Sequence, residues 1–371
     1  LFFFKQKTAY EIMPSLVCSE MCIRDSSTPV RNWFKDTFPD FTDPQKLAIP
    51  RILNGEHLLL CSPTGSGKTL TAFLSIIDNL VRRSLDGSLD KSVQCVYISP
   101  IKALANDIQK NLIGPLTEIR EKYLPWRAKE IKVGLRTGDT PQKERERMLR
   151  NPPHILITTP ESLGLALASK RFRPLLIDLN WLIIDEMHSL VPTKRGTHLS
   201  LSLALMDTVV ESDVQRIGIS ATMEPLEAVA EFLVASSSRE SDTEPQHGAI
   251  AKVSGARQLD LDIILPTPRF SSLPIKEVLE HNVERIKEIV EAHTTTLVFV
   301  NTRQMTETVV QKLKILGTEG VEGHHGSMDK AIRLDVEQQL KNGYLRCVVS
   351  SSSLEMGIDI GSVDCLSLIH I

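Results

Sequence analysis

The chain has 371 residues, 42% of them hydrophobic, which is enough for two domains of ordinary size with apolar cores of their own. Lysine plus arginine total 43 against 46 acidic residues, so the formal net charge is -3 and any nucleic-acid site must be local rather than a global basic surface. No apolar run approaches the roughly 20 residues that a membrane-spanning helix needs, and no membrane partner is expected.

The first segment looks foreign. Phe2 to Ile12 and Cys18 to Ser26 carry no sustained periodicity and resemble translated sequencing-adapter read-through, so residues 1–26 read as non-native or disordered. From Ser27 onward short apolar runs alternate with helical patterns, the rhythm of a parallel sheet flanked by helices. Strands are expected at Leu58 to Cys61, Val93 to Ser99, Ile131 to Leu135, Ile155 to Thr158, Trp181 to Ile184 and Arg216 to Ser220. These belong to a first α/β domain over 27–235. Ser236 to Gly248 is rich in Ser, Glu and Asp without periodicity, which predicts a linker over 236–250.

A second alternating set fills 251–365. Its expected strands are Thr296 to Val300, Val321 to His324, Cys347 to Ser350 and Val363 to Cys365. Helical patterns run over Ile275 to Ala292, Arg303 to Leu316 and Met328 to Lys341. Leu366-Ser367-Leu368-Ile369-His370-Ile371 resembles the same artefact as the start, so 366–371 reads as a non-native tail. Two α/β domains facing a shared cleft are the economical architecture. The six cysteines show no paired CxxC spacing, and Cys61, Cys95 and Cys347 fall in expected core strands, so a reducing, cytoplasmic setting is the natural inference.

Chemistry enters at Ser62-Pro63-Thr64-Gly65-Ser66-Gly67-Lys68-Thr69, between an apolar strand and a helix-like stretch from Thr69 to Val81. That is the context of a phosphate-binding loop. A loop wrapping a triphosphate aims successive backbone N–H groups inward, and side chains at Gly65 or Gly67 would block the approach. Thr64 and Ser66 complete the loop, Lys68 adds a point charge for the outer phosphates, and Thr69 can offer its hydroxyl to Mg²⁺ at a helix N-terminus. Downstream, Trp181-Leu182-Ile183-Ile184 reads as a buried parallel strand that delivers Asp185 and Glu186 at its C-terminal end. Asp185 is placed to hold Mg²⁺ through water and Glu186 to polarise a water attacking the γ-phosphate. Taken together, the two elements imply ATP hydrolysis. Separately, the first could be a Gly/Ser turn and the second a solvated turn.

In chain order the motifs resemble a superfamily 2 helicase of the DEAD/DEAH-box type, most nearly the large helicase-related family of ATP-dependent DNA helicases. Phe41-Thr42-Asp43-Pro44-Gln45 resembles the glutamine motif, where Gln45 would read the adenine edge. Ser62 stands in place of a generic first glycine, which fits helicases. Tyr97-Ile98-Ser99-Pro100-Ile101-Lys102 resembles motif Ia and Thr158-Thr159-Pro160-Glu161-Ser162-Leu163 motif Ib, so Pro100, Lys102, Thr159 and Pro160 are implied contacts to the nucleic-acid backbone. The same residues also serve as ordinary helix caps. Arg136-Thr137-Gly138-Asp139-Thr140 and Thr193-Lys194-Arg195-Gly196-Thr197-His198 are similar to strings of this family.

Asp185-Glu186-Met187-His188 gives His188 an implied catalytic place, with Met187 where valine is common. Ser220-Ala221-Thr222 resembles motif III, whose hydroxyls on Ser220 and Thr222 would couple hydrolysis to nucleic-acid grip. Val298-Phe299-Val300-Asn301-Thr302-Arg303 resembles motif IV and adds Arg303 as an implied nucleic-acid contact. His324-His325-Gly326-Ser327 is similar to a family loop; no nearby Cys or acidic partner gives metal-ligand spacing, so a loop role is expected. Ser351 to Gly361 resembles motif V: Ser351 keeps a hydroxyl for a backbone phosphate, while Gly357 and Asp359 would face the nucleotide.

The resemblance implies two tandem RecA-like domains, the second incomplete because the arginine-rich motif VI is expected just after Cys365. Its arginine is worth about a thousandfold or more in comparable enzymes, so weak hydrolysis is the expectation for this chain. ATP and Mg²⁺ are the implied cofactors. The implied partner is single-stranded or partly duplex nucleic acid, DNA favoured, with a monomer translocating 3′ to 5′ in DNA repair or processing. An ATP-gated clamp and an RNA helicase are the alternatives. A transporter-type ATPase is disfavoured because Leu176-Ile177-Asp178-Leu179-Asn180, ahead of Asp185, is no LSGGQ-like signature.

Overall fold

The computed structural model describes residues 26–63, 66–100, 102–221, 223–234, 248–253, 260–265, 267, 273–351 and 363–369, and the side chains of all of these but 102–111, 275 and 330. The chain divides into two compact units, Leu1–Ala256 and Arg257–Ile371.

In the first unit, helices α1 (Thr28–Thr37) and α2 (Asp43–Leu53) lead into β1 (Leu58–Cys61) and α3 (Lys68–Asp86). Then come β2 (Cys95–Ile98), α4 (Lys102–Tyr123), β3 (Val133–Arg136), α5 (Gln142–Arg150), β4 (Ile155–Thr158) and α6 (Pro160–Ala168). The rest is β5 (Trp181–Ile184), the single turn α7 (Met187–Leu190), α8 (Lys194–Asp207), β6 (Gln215–Ser220), α9 (Leu226–Val234) and β7 (Ala249–Lys252). All pairings are parallel and the strand order is β3-β4-β2-β5-β6-β1-β7.

Continuous apolar runs such as Leu58-Leu59-Leu60-Cys61 form these strands because helices cover both faces. Strand side chains alternate sides, so Leu58 and Leu60 pack with α3 residues Phe73, Ile76 and Leu80, while Leu59 and Cys61 pack with Leu163, Leu199 and Leu233 from α6, α8 and α9. Since the strands are parallel, their C-terminal ends share one edge, and Ser62, Ser99, Thr137, Thr159, Asp185 and Ala221 all emerge there.

One buried charge stiffens this layer. Arg216, on β6, is fully buried; its guanidinium donates to Asp207 Oδ1 at 2.6 Å and Oδ2 at 2.7 Å and to the Leu233 carbonyl at 2.9 Å, tying β6 to the ends of α8 and α9.

The second unit holds α10 (Ile275–Ala292), β8 (Thr296–Val300), α11 (Arg303–Ile315), β9 (Val321–His324), α12 (Lys330–Lys341), β10 (Cys347–Ser350) and β11 (Cys365–Ile369). Its described strands form one parallel sheet in the order β11-β8-β10-β9, with Val283, Val290, Val309 and Leu313 packed on one face. Two parallel-sheet units in tandem are the expected architecture.

Two expected boundaries move. The last two residues of the expected linker over 236–250 and the first two of the expected second domain from 251 form β7, which continues the first sheet by pairing Leu58 with Ala249 through Cys61 with Lys252; residues 235–247 lie outside the described residues. The Ala249 N–H donates to the His57 carbonyl at 2.8 Å and the Val253 N–H to that of Cys61 at 2.8 Å, satisfying an edge of β1 that would otherwise lack partners. Ala-Ile-Ala-Lys, following a polar stretch, has too little apolar periodicity to announce a strand. At the other end, a strand does form near the expected Val363 to Cys365, but as β11 it starts at Cys365 and runs on into the expected tail, its Leu366 to Ile369 pairing with Leu297 to Val300.

Cys61, Cys95, Cys347 and Cys365 are free thiols. Among the described residues no helix is long and apolar enough to cross a membrane.

Candidate functional site

The phosphate-loop sequence lies between β1 and α3, with Thr64 and Gly65 outside the described residues. Gly67 caps α3 in the left-handed region, φ 82°, ψ 19°, which favours glycine. Its Cα also faces the glutamine motif: a Cβ there would lie 3.7 Å from Gln45 Nε2 and 3.8 Å from Thr42 Oγ1. Gln45 is buried, and its Oε1 accepts the Thr42 N–H at 2.9 Å in a capping box that starts α2. Ser66 Oγ donates to the Pro63 carbonyl at 2.8 Å and is hydrogen-bonded to Ser62 Oγ. Thr69 is half-buried in the first turn of α3.

Lys68 is buried, with Nζ donating to the Ser62 carbonyl at 2.5 Å. Burial draws its pKa down, while the Glu186 and Asp185 carboxylates act in the opposite sense. The loop lysine and the acidic pair therefore share one electrostatic environment at the same sheet edge.

Asp185 follows β5, its N–H donating to the Ile98 carbonyl at 2.9 Å. Its Oδ1 accepts the Glu186 N–H at 2.8 Å and its Oδ2 accepts the Tyr97 hydroxyl. Burial, with Glu186 next to it, pushes the Asp185 carboxyl up to about 6. Glu186 is raised too, by burial, with Lys68 opposing. Glu186 also adopts left-handed backbone, φ 52°, ψ 43°, a sparsely populated conformation held where α7 begins.

His188 Nε2 lies 3.1 Å from Glu186 Oε2, and its Nδ1 accepts the Ala221 N–H at 3.1 Å with Ser220 Oγ at 3.3 Å. A nitrogen that accepts a backbone N–H carries no proton, so the assigned tautomer has the proton on Nε2, donated to Glu186. Burial and then the Lys68 charge lower the His188 pKa and favour that neutral form. The structure thus gathers Gln45, Ser66, Gly67, Lys68, Asp185, Glu186, His188 and Ser220. Thr222 lies outside the described residues.

Other predicted residues line the same edge. Pro100 is buried after β2, and Lys102 opens α4. Thr159 caps α6: its Oγ1 accepts the Ser162 N–H at 3.4 Å and pairs with Ser162 Oγ at 3.1 Å, with Pro160 in the first turn. Thr193 caps α8 in the same way, accepting the Gly196 N–H at 3.4 Å. Glu161 and Arg195, one from each first turn, form a two-pronged pair at 2.6 and 3.2 Å.

In the second unit Thr302 caps α11 by accepting the Met305 N–H at 3.1 Å, and exposed Arg303 donates to Ser327 Oγ. Ser351 is buried, and its carbonyl accepts Ser350 Oγ at 2.7 Å. The histidine pair has acidic partners that local spacing does not show: His324 Nε2 lies 3.1 Å from Glu337 Oε1 and His325 Nε2 2.7 Å from Glu307 Oε1. These glutamates lie on flanking helices, 13 and 18 residues away in sequence, so local spacing could not announce them. Among the described residues no group of three or more His, Cys, Asp or Glu side chains could hold a metal ion. Gly357 and Asp359 lie outside the described residues.

Sequence reasoning missed the hydroxyl that Tyr97 puts on Asp185 and the Ala221 N–H on His188. Tyr97 had no distinguishing signal in a strand of apolar residues, and a backbone donor is invisible in any sequence.

Known proteins are similar to this chain. The family model for DEAD/DEAH box helicases matches residues 42–231, and that for the helicase conserved C-terminal domain matches 281–370. ATP-dependent helicase Lhr-Core of Methanothermobacter thermautotrophicus is 48% identical over 349 residues, covering 92% of this chain and 40% of that protein. Lhr helicase/probable uracil glycosylase of Mycolicibacterium smegmatis is 39% identical over 376 residues, covering 91% of this chain and 24% of that protein. The chain thus spans at most about two-fifths of these relatives. The structure of Mycobacterium smegmatis helicase Lhr bound to ssDNA and AMP-PNP superposes with a TM-score of 0.79 at 40% identity, over 94% of this chain and 44% of that one. With the first of these family models covering just over half of its residues and the second about a quarter more, the chain belongs to the DEAD/DEAH box helicases.

Proposed function

We propose that this chain is the motor portion of an ATP-dependent helicase or translocase that moves on single-stranded DNA. The observation that carries the reading is the convergence of Lys68, Asp185 and Glu186 at one sheet edge, with His188 linking Glu186 to the backbone of the Ser220-Ala221 loop. The relatives support it: each is named a helicase, and the solved Lhr complex holds single-stranded DNA and an ATP analogue.

The residues present fit a magnesium-bound triphosphate. A buried ammonium facing two buried carboxylates of raised pKa is a charge arrangement that phosphate and a divalent cation would balance, and Gly67 keeps the loop free of a Cβ. Lys68, the loop from Thr64 to Gly67 and the α3 N-terminus would hold phosphate, Thr69 and Asp185 the Mg²⁺, and Gln45 the base. When bound, Mg²⁺-ATP supplies a phosphoanhydride whose leaving oxygens the cation neutralises. Glu186 then accepts a proton from water, its raised pKa bringing it nearer the poise of a general base, while the His188 Nε2–H holds its carboxylate in place. Ser220 and Thr222 would report the state of Glu186 and His188 to the nucleic-acid-gripping loops.

Backbone contacts are assigned to Pro100, Lys102, Thr159, Pro160, Arg303 and Ser351, and Gly357 and Asp359 to the nucleotide. Grip through phosphate makes binding weakly sequence-selective and salt-sensitive. A 3′ to 5′ direction, a DNA preference over RNA, a monomeric motor and a role in DNA repair complete the reading. The test is ATP hydrolysis with and without single-stranded DNA: Lys68→Ala should abolish the stimulated rate, and retained stimulation in that variant defeats the assignment.

A further inference from the structure

Tyr97 stands between the two halves of the nucleotide site. It is fully buried on β2, on the sheet face that packs against α3, where its ring stacks on Phe73 with centroids 5.2 Å apart and planes at 26°. Its hydroxyl donates to Asp185 Oδ2, while the other carboxylate oxygen accepts the Glu186 N–H at 2.8 Å. With a donor on each oxygen, rotation of the Asp185 carboxylate about its last torsion is stopped. Phe73 belongs to the helix that opens on Lys68, so one side chain touches both the phosphate-loop helix and the acidic pair.

We infer that Tyr97 is a positioning residue for the divalent cation: its hydroxyl sets the Asp185 carboxylate in the orientation that receives the metal, and its ring registers that orientation against α3. The inference rests on the nucleotide-site reading above. Metal-ligating carboxylates depend on the groups that hydrogen-bond them, and loss of such a partner typically weakens metal affinity by about 10- to 100-fold. Tyr97→Phe isolates the hydroxyl because it keeps the ring, the Phe73 stack and the packed volume.

The experiment titrates the full chain with a fluorescent, non-hydrolysable ATP analogue, first in EDTA and then with increasing Mg²⁺. Tyr97→Phe should leave the Mg²⁺-free affinity unchanged and raise the half-saturating Mg²⁺ concentration by about tenfold. An unchanged Mg²⁺ half-point overturns the inference, and so does a parallel loss of Mg²⁺-free affinity, which marks a hydrogen bond that serves only the fold. Phe73→Leu is the second variant and does not depend on the first being folded. A rise in its Mg²⁺ half-point supports the link to α3, and no rise overturns that link. If the unaltered chain binds no nucleotide at all, the nucleotide-site reading fails rather than the role of Tyr97.

Discussion

His188 Nδ1 accepts the Ala221 N–H at 3.1 Å, and this contact joins the turn α7 after β5 to the loop after β6. It also sets the tautomer, leaving Nε2 to donate to Glu186. Ala221 and Glu186 are therefore linked through a single imidazole ring, a continuous hydrogen-bonded path rather than mere proximity.

Replacing His188 with Ala removes both contacts. Coupling energies between sites are typically 1–3 kcal/mol, so DNA stimulation of ATP hydrolysis should fall about tenfold or more with nucleotide binding retained. Steady-state hydrolysis with and without single-stranded DNA, beside a nucleotide-binding titration, separates the two; full stimulation in the variant contradicts the path.

Arg216 and Asp207 give a stability prediction. Asp207→Ala takes the carboxylate from a fully buried guanidinium, and breaking such a pair costs about 3–5 kcal/mol. Urea denaturation followed by circular dichroism should show that loss; a change below about 1 kcal/mol would mean that the Leu233 carbonyl and the other neighbours suffice.

Gly218, on β6, faces Met187 directly. A Cβ there would run into Met187 Sδ and come within 3.1 Å of Leu59 Cδ1. Gly218→Ala should lower stability by about 1–3 kcal/mol, the usual range for overpacking. Adding Met187→Val should recover part of it, since the shorter side chain vacates the space. Thermal melting of the single and double variants checks this, and no recovery would place the strain elsewhere.

The pH dependence has a traceable contributor in His154. It is buried, its Nδ1 accepts the Lys132 N–H at 2.8 Å, and burial followed by the Lys132 charge lowers its pKa to about 4. The unfolded chain then binds more protons between about pH 6.5 and 4, so this contribution is full above that window and is lost as pH falls through it, on the order of 3 kcal/mol in all. Asp185 acts with the opposite sign, because its raised pKa favours the folded form as pH falls from about 6. Stability measured from pH 7 to 4 should fall less steeply in His154→Asn than in the unaltered chain. Parallel curves would remove His154 as the source.

Much of the fold is legible in the order of the residues. The runs Leu58 to Cys61, Ile155 to Thr158, Trp181 to Ile184 and Cys347 to Ser350 are strands with the expected ends, because a parallel strand buried on both faces must be apolar throughout. β7 is not legible there: its four residues gain their place from the open edge of β1, a long-range condition. Phosphate-loop and acidic residues are readable as chemistry because glycine, lysine and paired carboxylates at strand ends have few other uses together.

By itself, then, the sequence determined which residues are candidates for the chemistry and that parallel strands would deliver them to one edge, since local composition and spacing encode both. Only the tertiary structure decided how the buried polar groups, in the site and beneath it, are held: Tyr97 on Asp185, Ala221 on His188, Arg216 on Asp207. Those contacts join residues 88, 33 and 9 positions apart. Which of many possible partners a buried polar group meets depends on strand order and packing, and neither is written in the residues that flank it.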